Sequence, residues 1–306
     1  MSIATNSLKV AALWALAGLA HADPDAAAQA AVNATPPAAA VAEKHWRLGV
    51  ALGYGQRTNP LIQSDEIPIL VDLDIAWFGE RWFFDNGDLG FELLDRPAFT
   101  LNAVARVNTD RAFFAKTNTR YINFRYLSAG NTTSLTNQGN PPPPTLGGDV
   151  PPVEETLPFK PPERDYAIEA GFESLFGGEW GSATVHAFRD VSGTHDGFEI
   201  GADYDYRITR GRFSISPSLG IEYKSRKLND YYWGVHDDEA SFTVAEYHAD
   251  GGFGWQAGLR SSYYLTKNLR LALSANYERL QSSVADSPLV KDDYVLGYFG
   301  GFAWTF

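Results

Sequence analysis

Hydrophobic and polar residues alternate along most of the chain after about residue 45. In the final segment, the even positions from Tyr294 to Phe306 are large or aromatic apart from Gly300, whereas the odd positions from Val295 to Thr305 are mostly smaller. Residues 269–278 repeat the alternation, with leucine, alanine and tyrosine at odd positions and mainly arginine, serine and asparagine at even ones. Because successive side chains of a β-strand point to opposite faces, a period of two predicts strands that lie between two different environments.

The same alternation recurs in segments that are separated by turn-forming residues. It predicts strands at 45–56, 67–78, 81–86, 88–95, 97–109, 165–176, 181–190, 198–208, 212–226, 252–265, 268–280 and 293–306. Tight connections alternate with longer ones, as in an up-and-down meander. The two shortest segments are counted separately, which keeps the number of strands even, as bacterial single-chain barrels require.

Alternation alone would also fit a soluble β-sandwich, whose polar face meets water. Three features favour a membrane barrel instead. Most segments have the length of tilted membrane strands, aromatic residues make up 14 % of the chain and gather near strand ends, and the last strand can pair with the first to remove any free edge. The predicted fold is therefore all-β, a transmembrane antiparallel up-and-down β-barrel of about 12 strands.

The N-terminal residues resemble an export signal. Lys9 precedes an apolar run from Val10 to Ala20, and Ala20-His21-Ala22 offers the small-x-small pattern of a cleavage site. The apolar run is too short to span a bilayer as a helix. We therefore expect residues 1–22 to be a cleaved signal peptide, residues 23–44 to be a flexible lead rich in alanine and proline, and residues 45–306 to form the barrel.

A proline-rich insert interrupts the strand pattern at residues 128–163. Proline has no backbone N–H to donate to a ladder, so this stretch is predicted to be a loop, and the alternation of turns and loops places it on the extracellular side. Just before it, Thr119 to Tyr126 alternates well enough to predict an extension of a hairpin above the membrane.

Charge and composition narrow the functional classes. The formal net charge is −12 and the basic residues are scattered, which argues against binding to nucleic acid. Charged positions fall on the polar face of the strands, which would line the lumen of a barrel. The candidate lumen residues carry both signs, so they could select solutes or pair across the interior and close it: Arg47, Asp72, Asp74, Arg106, Asp203, Asp205 and Arg260.

The sequence gives only weak evidence for catalytic or metal-binding residues. The pairs Asp72/Asp74 and Asp203/Asp205 could act as acid and base, but a water-filled lumen needs polar lining in any case. The six histidines include no pair at the spacing of metal ligands. The run from His236 to Glu239 lacks the pattern of a calcium loop and is expected to be an acidic exposed loop. No catalytic residue, metal site or cofactor is predicted.

Several sequence blocks resemble the MipA/OmpV family of Gram-negative outer-membrane proteins. The blocks are LGVALGYG at 48–55, DVSGTHDG at 190–197, the run Asn229-Asp230-Tyr231-Tyr232-Trp233-Gly234-Val235, YERL at 277–280, and ADSPLV at 285–290 with Asp286, Ser287 and Pro288. Together they cover nearly all of residues 45–306. We expect the residues of the aromatic block and the Asp-Ser-Pro residues to lie at the extracellular rim, either as packing or as a contact surface.

The resemblance implies a location in the outer membrane and contact with its lipid and lipopolysaccharide. It implies a scaffold or adaptor that holds a lytic transglycosylase and a penicillin-binding protein of the peptidoglycan machinery, and no enzyme activity. A small-solute channel is the alternative. The last strand is similar to the insertion signal that the barrel-assembly machinery recognises, with Gly301, Trp304 and Phe306 at its characteristic positions.

Overall fold

The computed structural model describes residues 45–114, 122–124, 161–240 and 244–306. The expected signal peptide at 1–22, the expected lead at 23–44 and all but the last three residues of the proline-rich insert at 128–163 lie outside the described residues. All of the barrel strands discussed below lie within them.

The described chain is built mainly from β-strands. In chain order they are β1 (His45–Arg57), β2 (Ile67–Phe78), β3 (Trp82–Asp85), β4 (Asp88–Arg96), β5 (Phe99–Val107), β6 (Ile122–Phe124), β7 (Ile168–Gly178), β8 (Gly181–Asp190), β9 (Phe198–Asp205), β10 (Ile208–Arg210), β11 (Phe213–Lys224), β12 (Gly252–Tyr264), β13 (Leu269–Arg279) and β14 (Tyr294–Thr305). A 3₁₀ helix covers Asp110–Phe114, and two short α-helices are α1 (Arg226–Trp233) and α2 (Ser282–Ala285). Among the described residues, no helix has the length and apolar character needed to cross a membrane.

Twelve of the strands close into an antiparallel barrel, which confirms the predicted fold. Their order around the wall is β1-β14-β13-β12-β11-β9-β8-β7-β5-β4-β3-β2, and β2 pairs again with β1. The closing seam joins the last strand to the first in continuous register, from Gly49 opposite Thr305 to Arg57 opposite Gly297. Every strand of the wall therefore has two neighbouring strands, which is how a barrel satisfies its backbone hydrogen bonds in lipid.

The two ends of the barrel differ in the length of their connections. We call the end with the short connections at 79–81, 97–98, 179–180, 211–212 and 265–268 the turn end. The opposite end, which we call the loop end, carries the connections at 58–66, 108–167, 191–197, 225–251 and 280–293. Outer-membrane barrels have short periplasmic turns and longer extracellular loops, so the loop end faces outward.

The outer surface of the wall is apolar and the inner surface is polar. On β11, the side chains of Leu219 and Ile221 are 62 % and 53 % exposed, whereas Ser216 and Lys224, which have the opposite parity, are buried inside. On the neighbouring β12, Phe253 is 67 % exposed. Such exposure of large apolar side chains suits contact with acyl chains rather than water.

The two short segments predicted at 81–86 and 88–95 form two separate strands, β3 and β4. They are joined by a tight turn in which Asn86 and Gly87 both have positive φ, as an Asn-Gly hairpin turn requires. The hairpin reaches only part of the way up the wall. Asn86 then continues the pairing with β2, because its backbone N–H donates to the carbonyl of Ile75 and its Oδ1 accepts from the backbone N–H of Ile75.

Beyond this hairpin the edge of β2 is taken up by β6. The three residues of β6 pair in parallel with Val71–Leu73. The sequence predicted that Thr119 to Tyr126 extends a hairpin above the membrane, and that prediction is wrong for residues 122–124, which pair with a strand of the wall. The reason is that β3 covers only Ala76–Phe78 of β2, which leaves backbone groups further along β2 for another segment to satisfy.

Candidate functional site: the capped loop end and the lumen below it

An apolar cap closes the loop end of the barrel. Its buried side chains come from connections that are far apart in sequence, and they form one cluster: Leu61, Phe113, Phe114, Leu228, Tyr232, Trp233, Val235, Val244, Ala249, Leu280, Val284, Leu289 and Val295. Tyr232 and Trp233 of α1 are 0 % and 2 % exposed. The cap is therefore a small hydrophobic core that lies across the mouth of the barrel.

Aromatic rings hold the centre of this cap together. The ring of Trp233 lies 5.7 Å from that of Phe113 and 5.3 Å from that of Phe114, and Phe114 also packs against Tyr232 at 6.2 Å between centroids. Phe113 and Phe114 come from the 3₁₀ helix that follows β5. The guanidinium of Arg57, at the end of β1, stacks over Phe113 at 4.5 Å. The connection after β5 thus folds inward under α1.

Buried polar groups tie the predicted rim blocks to each other. The side-chain amides of Asn229 and Gln281 exchange two hydrogen bonds, of 2.7 and 3.2 Å. The hydroxyl of Ser287 donates to the backbone carbonyl of Trp233 at 2.6 Å. The two blocks therefore meet in space although more than fifty residues separate them.

The other predicted rim residues lie around the same contact. Val235 is buried and bridges to Tyr247, and the carbonyl of Gly234 accepts from Arg164 at 2.9 Å. The hydroxyl of Tyr231 accepts from the backbone N–H of Asp165 at 2.9 Å.

Three further predicted rim residues are not fully buried. Asp286 is exposed after α2, and Pro288 is half-buried. Asp230 is also half-buried and lies close to His236 and His248.

The block DVSGTHDG forms a compact loop between β8 and β9. The carboxylate of Asp190 accepts four backbone N–H groups, from Ser192 at 2.8 Å, Gly193 at 3.2 Å, His195 at 2.6 Å and Asp196 at 2.8 Å. The ring of His195 is buried against Tyr232. This loop supports the cap from the side.

Ion pairs cross the lumen beneath the cap. The guanidinium of Arg106 on β5 bonds to Glu169 on β7 at 3.1 Å and contacts Glu199 on β9 directly. Asn108 donates a further bond to Glu169, of 2.7 Å. All four side chains are buried. A charge predicted for the lumen wall is therefore paired across several strands.

A second pair crosses at the level of the 3₁₀ helix. The ammonium of Lys224 at the end of β11 lies 2.8 Å from Asp110 and 3.2 Å from Glu222. Asp110 belongs to the connection after β5, so this contact links that connection to a strand that lies four places further around the wall.

The remaining lumen candidates lie nearer the turn end. Arg47 pairs with Asp74 at 3.2 Å and with Asp85 at 3.1 Å.

The other lumen candidates lie on β2, β9 and β12. Asp203 accepts a hydrogen bond from Gln256 at 2.9 Å, and Asp205 accepts one from Ser182 at 2.7 Å. Asp72 is buried on the inner face of β2, and Arg260 lies on β12 with the same parity as Gln256. Their role in passage stays a prediction.

The predicted insertion-signal residues lie in β14 and just after it. Gly301 faces Gly53 across the seam, and the backbone N–H of Phe306 donates to the carbonyl of Leu48 at 2.8 Å. Trp304 is half-buried, and Phe306 is 78 % exposed at the turn end. Recognition of these residues by the assembly machinery stays a prediction.

The structure also brings together residues that the sequence kept apart. Asp230, His236 and His248 lie beside the cap, and their ligand-type atoms are all within 4.8 Å of one another. The spacing of the histidines gave no signal, because they are twelve positions apart in the sequence with a turn between them. The sequence drew attention to this region only through the aromatic block, which includes Asp230, and through the run from His236 to Glu239, which was expected to be an acidic exposed loop.

A closed antiparallel barrel with an apolar outer belt, a polar interior and long loops at one end is an outer-membrane β-barrel protein, and it lies in the outer membrane. The sequence model described as MltA-interacting protein MipA matches residues 48–306. The chain therefore belongs to that family, which confirms the resemblance noted in its sequence.

Three curated relatives illustrate the family. The chain is 30 % identical over 129 residues to outer membrane protein Omp26La of Vibrio anguillarum, covering 42 % of this chain and 50 % of that protein. It is 32 % identical over 128 residues to outer membrane protein OmpV of Vibrio cholerae, covering 42 % and 50 %. It is 25 % identical over 129 residues to the MltA-interacting protein of Escherichia coli, covering 42 % and 52 %. The matches span about half the length of these relatives.

Proposed function

We propose that this protein is a scaffold of the outer membrane that holds a peptidoglycan-remodelling enzyme, a lytic transglycosylase, at the inner surface of that membrane. In this proposal it binds its partner and is not itself an enzyme. The observation that carries the proposal is the apolar cap at the loop end, together with the buried ion pairs beneath it. A barrel packed in this way is better suited to a role that needs no passage than to transport. The name of the Escherichia coli relative, MltA-interacting protein, supports the choice of partner.

The partner would meet the turn end. Lytic transglycosylases act on the cell wall, which lies on the periplasmic side, and the turn end faces that side. The connections there are short, and a stable interface needs about 800 Å² from each partner. β1 begins at the turn end, where His45 pairs with Phe78, and the lead at residues 23–44 comes directly before it in the sequence. We infer that this lead supplies much of the contact area.

A binding experiment with purified components tests the scaffold. The mature chain in detergent micelles would be immobilised through a tag placed in a loop, and a purified lytic transglycosylase would be passed over it. We expect saturable binding, and we expect it to weaken strongly when residues 25–42 are deleted. An outer-membrane barrel of another family, immobilised at the same density, is the control. No binding to the intact chain, or equal binding to the control barrel, would refute the scaffold.

The second partner implied by the family, a penicillin-binding protein, is tested in the same arrangement. If the protein is an adaptor, the penicillin-binding protein should be retained when the transglycosylase is already bound. Crosslinking in intact envelopes, followed by identification of the captured proteins, would show whether the two enzymes meet this chain together in the cell. Retention of the penicillin-binding protein without the transglycosylase would limit the proposal to a single partner.

A small-solute channel is the competing function. The half-buried charges nearer the turn end, Arg47 and Arg260 among them, favour it because they provide a partly hydrated polar lining. Planar-bilayer recordings separate the two functions. The scaffold predicts no steady conductance for the intact protein. Reproducible single-channel steps that disappear on substitution of Asp205 by a bulky residue would favour the channel.

A further inference from the structure

A histidine and carboxylate cluster lies at the outer edge of the cap, between α1 and the loop that follows it. The Nδ1 atom of His248 lies 3.1 Å from a carboxylate oxygen of Asp230, and the Nε2 atom of His236 lies 3.6 Å from the other. The two imidazole rings are 6.0 Å apart between centroids. One nitrogen of each ring therefore faces the same aspartate.

The other nitrogen of each ring faces a second carboxylate. Nδ1 of His236 lies 3.4 Å from Glu239, and Nε2 of His248 lies 3.1 Å from Glu246. Histidines that bind metal ions nearly always donate their second ring N–H to a carboxylate, a carbonyl or water, which fixes the ring and makes the free nitrogen a better ligand. Both histidines of the cluster have this arrangement, with their inner nitrogens left to converge on Asp230.

We propose that Asp230, His236 and His248 bind one divalent transition-metal ion of the zinc class at the outer face of the barrel, with Glu239 and Glu246 orienting the two imidazoles. Two imidazole nitrogens and one carboxylate oxygen favour zinc, nickel or copper over calcium and magnesium, which prefer oxygen ligands. Ligand atoms of a tetrahedral zinc site lie about 3.4 Å apart, given zinc–ligand bonds of about 2.1 Å. The ligand atoms lie within 4.8 Å of one another, so no pair of them has to close by more than about 1.4 Å to reach that geometry.

The surroundings make such a movement feasible while the anchor stays fixed. The side chains of His236 and His248 are 37 % and 48 % exposed, so both can adjust. Asp230 is held in place, because its Oδ1 accepts the backbone N–H of Ala249 at 3.0 Å. Glu239 is held by Arg164, whose guanidinium bonds to it at 2.9 Å. The ligands are thus attached to an ordered cap.

A proton competes with the metal ion for this site. The hydrogen bond that His248 donates to Asp230, together with the charge of that carboxylate, raises the pKa of His248, and Glu246 adds to the effect. His236 lies between Asp230 and Glu239. A metal ion binds an imidazole through an unprotonated nitrogen, so the affinity of such a site falls as the pH is lowered.

A second group with metal-ligand character, His186 with Glu199 and Glu222 in the lumen, is less suitable. Arg106 already contacts Glu199, and Lys224 lies 3.2 Å from Glu222. These two buried cations neutralise the carboxylates and would repel a metal ion. The loop cluster has no such competitor at Asp230 among the described residues.

Binding of Zn²⁺ itself tests the site. The full mature chain, purified in detergent without a polyhistidine tag and treated with a chelator, would be titrated with Zn²⁺ against a chromophoric competitor at pH 7.5. We expect one ion per chain and a rise in the thermal unfolding midpoint, because an ion that binds only the folded state stabilises it. The double variant His236→Gln/His248→Gln should lose both effects, and Glu246→Gln should weaken binding by about 10- to 100-fold.

His45→Gln is the matched control, since His45 lies at the turn end on the opposite side of the barrel. It should bind Zn²⁺ as the unaltered chain does. Both substituted histidines of the double variant are substantially exposed, so the fold should be retained, and circular dichroism checks this. The proposal is overturned if the intact chain binds no Zn²⁺ more tightly than about 100 µM. It is equally overturned if the folded double variant binds as the intact chain does, or if Ca²⁺ stabilises as well as Zn²⁺.

Discussion

Asn229 and Gln281 form a reciprocal pair of amide hydrogen bonds inside the cap. The pair links the helix α1 to the residue that precedes α2, and Asn229 also donates to the backbone carbonyl of Asp250 at 2.8 Å. Asn229 is fully buried and Gln281 is 6 % exposed. Two connections that leave the barrel at different strands are therefore joined by groups that have little access to water.

Replacing Asn229 should destabilise the cap. Asn229→Ala leaves the buried side-chain amide of Gln281 without its Asn229 partner and removes one donor to the carbonyl of Asp250, and an unsatisfied buried polar group costs about 1–3 kcal/mol. We expect a loss of about 2 kcal/mol or more in the free energy of unfolding, measured by denaturant titration in detergent. Lys267→Ala, at an exposed turn, should change it by less than about 0.5 kcal/mol. Equal effects of the two substitutions would contradict the role assigned to the pair.

The aromatic centre of the cap should be sensitive to truncation. Trp233→Ala removes a buried indole that packs on Phe113 and Phe114, and such changes typically cost about 3–5 kcal/mol. We expect a lower unfolding midpoint and faster cleavage of the loop 225–251 by protease added to intact cells. Trp255→Ala is the matched control, because Trp255 is 48 % exposed on the lipid face of β12. A cap that resists protease after loss of Trp233 would show that the indole is dispensable.

The loop that Asp190 organises should loosen when its carboxylate is removed. Asp190→Ala deletes the acceptor of four backbone N–H groups, and hydrogen bonds to a charged group contribute about 1.5–3 kcal/mol each. We expect a loss of about 3 kcal/mol and faster amide hydrogen exchange in residues 192–196. Asp196→Asn, in the same loop, should be nearly neutral because asparagine tolerates the positive φ of 53° found there. Unchanged exchange in the alanine variant would contradict this account.

The closing seam requires glycine on both sides. A Cβ atom at Gly301 would lie 2.4 Å from the carbonyl oxygen of Leu52 and 2.7 Å from the Cα of Gly53. Gly301→Ala should therefore lower the yield of folded barrel, measured as the fast-migrating form on unheated gels. Gly300→Ala is the matched control, because its Cβ would meet only the end of the Leu273 side chain, at 3.1 Å. Normal folding of the Gly301 variant would mean that the seam can shift.

The ionisation of His248 should depend on Asp230. The neighbouring carboxylate raises the pKa of His248 above its ordinary value of 6.5. Stabilisation by this ion pair is then complete below about pH 6.5 and is lost as the pH rises through the raised pKa. Asp230→Asn should lower the pKa of His248, followed by NMR of the labelled imidazole in metal-free buffer, and Glu246→Gln should lower it less. A pKa that Asp230→Asn leaves unchanged would contradict the contact.

Much of the barrel could be predicted from the sequence, because the period of two is a local property of each strand. Lipid on one side and a polar interior on the other impose opposite residue types on neighbouring positions, as at Leu219 and Ile221 against Ser216. The division of 81–96 into β3 and β4 was also predictable, since Asn86-Gly87 is a strong hairpin signal. The sequence further suggested that lumen charges of both signs could pair, as Arg106 does with Glu169.

The side-chain contacts in the lumen and in the cap depended on tertiary structure. Nothing in the spacing of His236 and His248 indicated that they would meet at Asp230. β6 runs parallel to β2 in the wall, where the extension of a hairpin above the membrane was predicted. The sequence left open whether the aromatic block was packing or a contact surface, and the structure places Tyr232 and Trp233 in a buried core. The alternation of side chains within one strand is set by backbone geometry alone, so the sequence determined the wall. Contacts between loops join residues dozens of positions apart, and only the closed wall brings those loops together over one mouth.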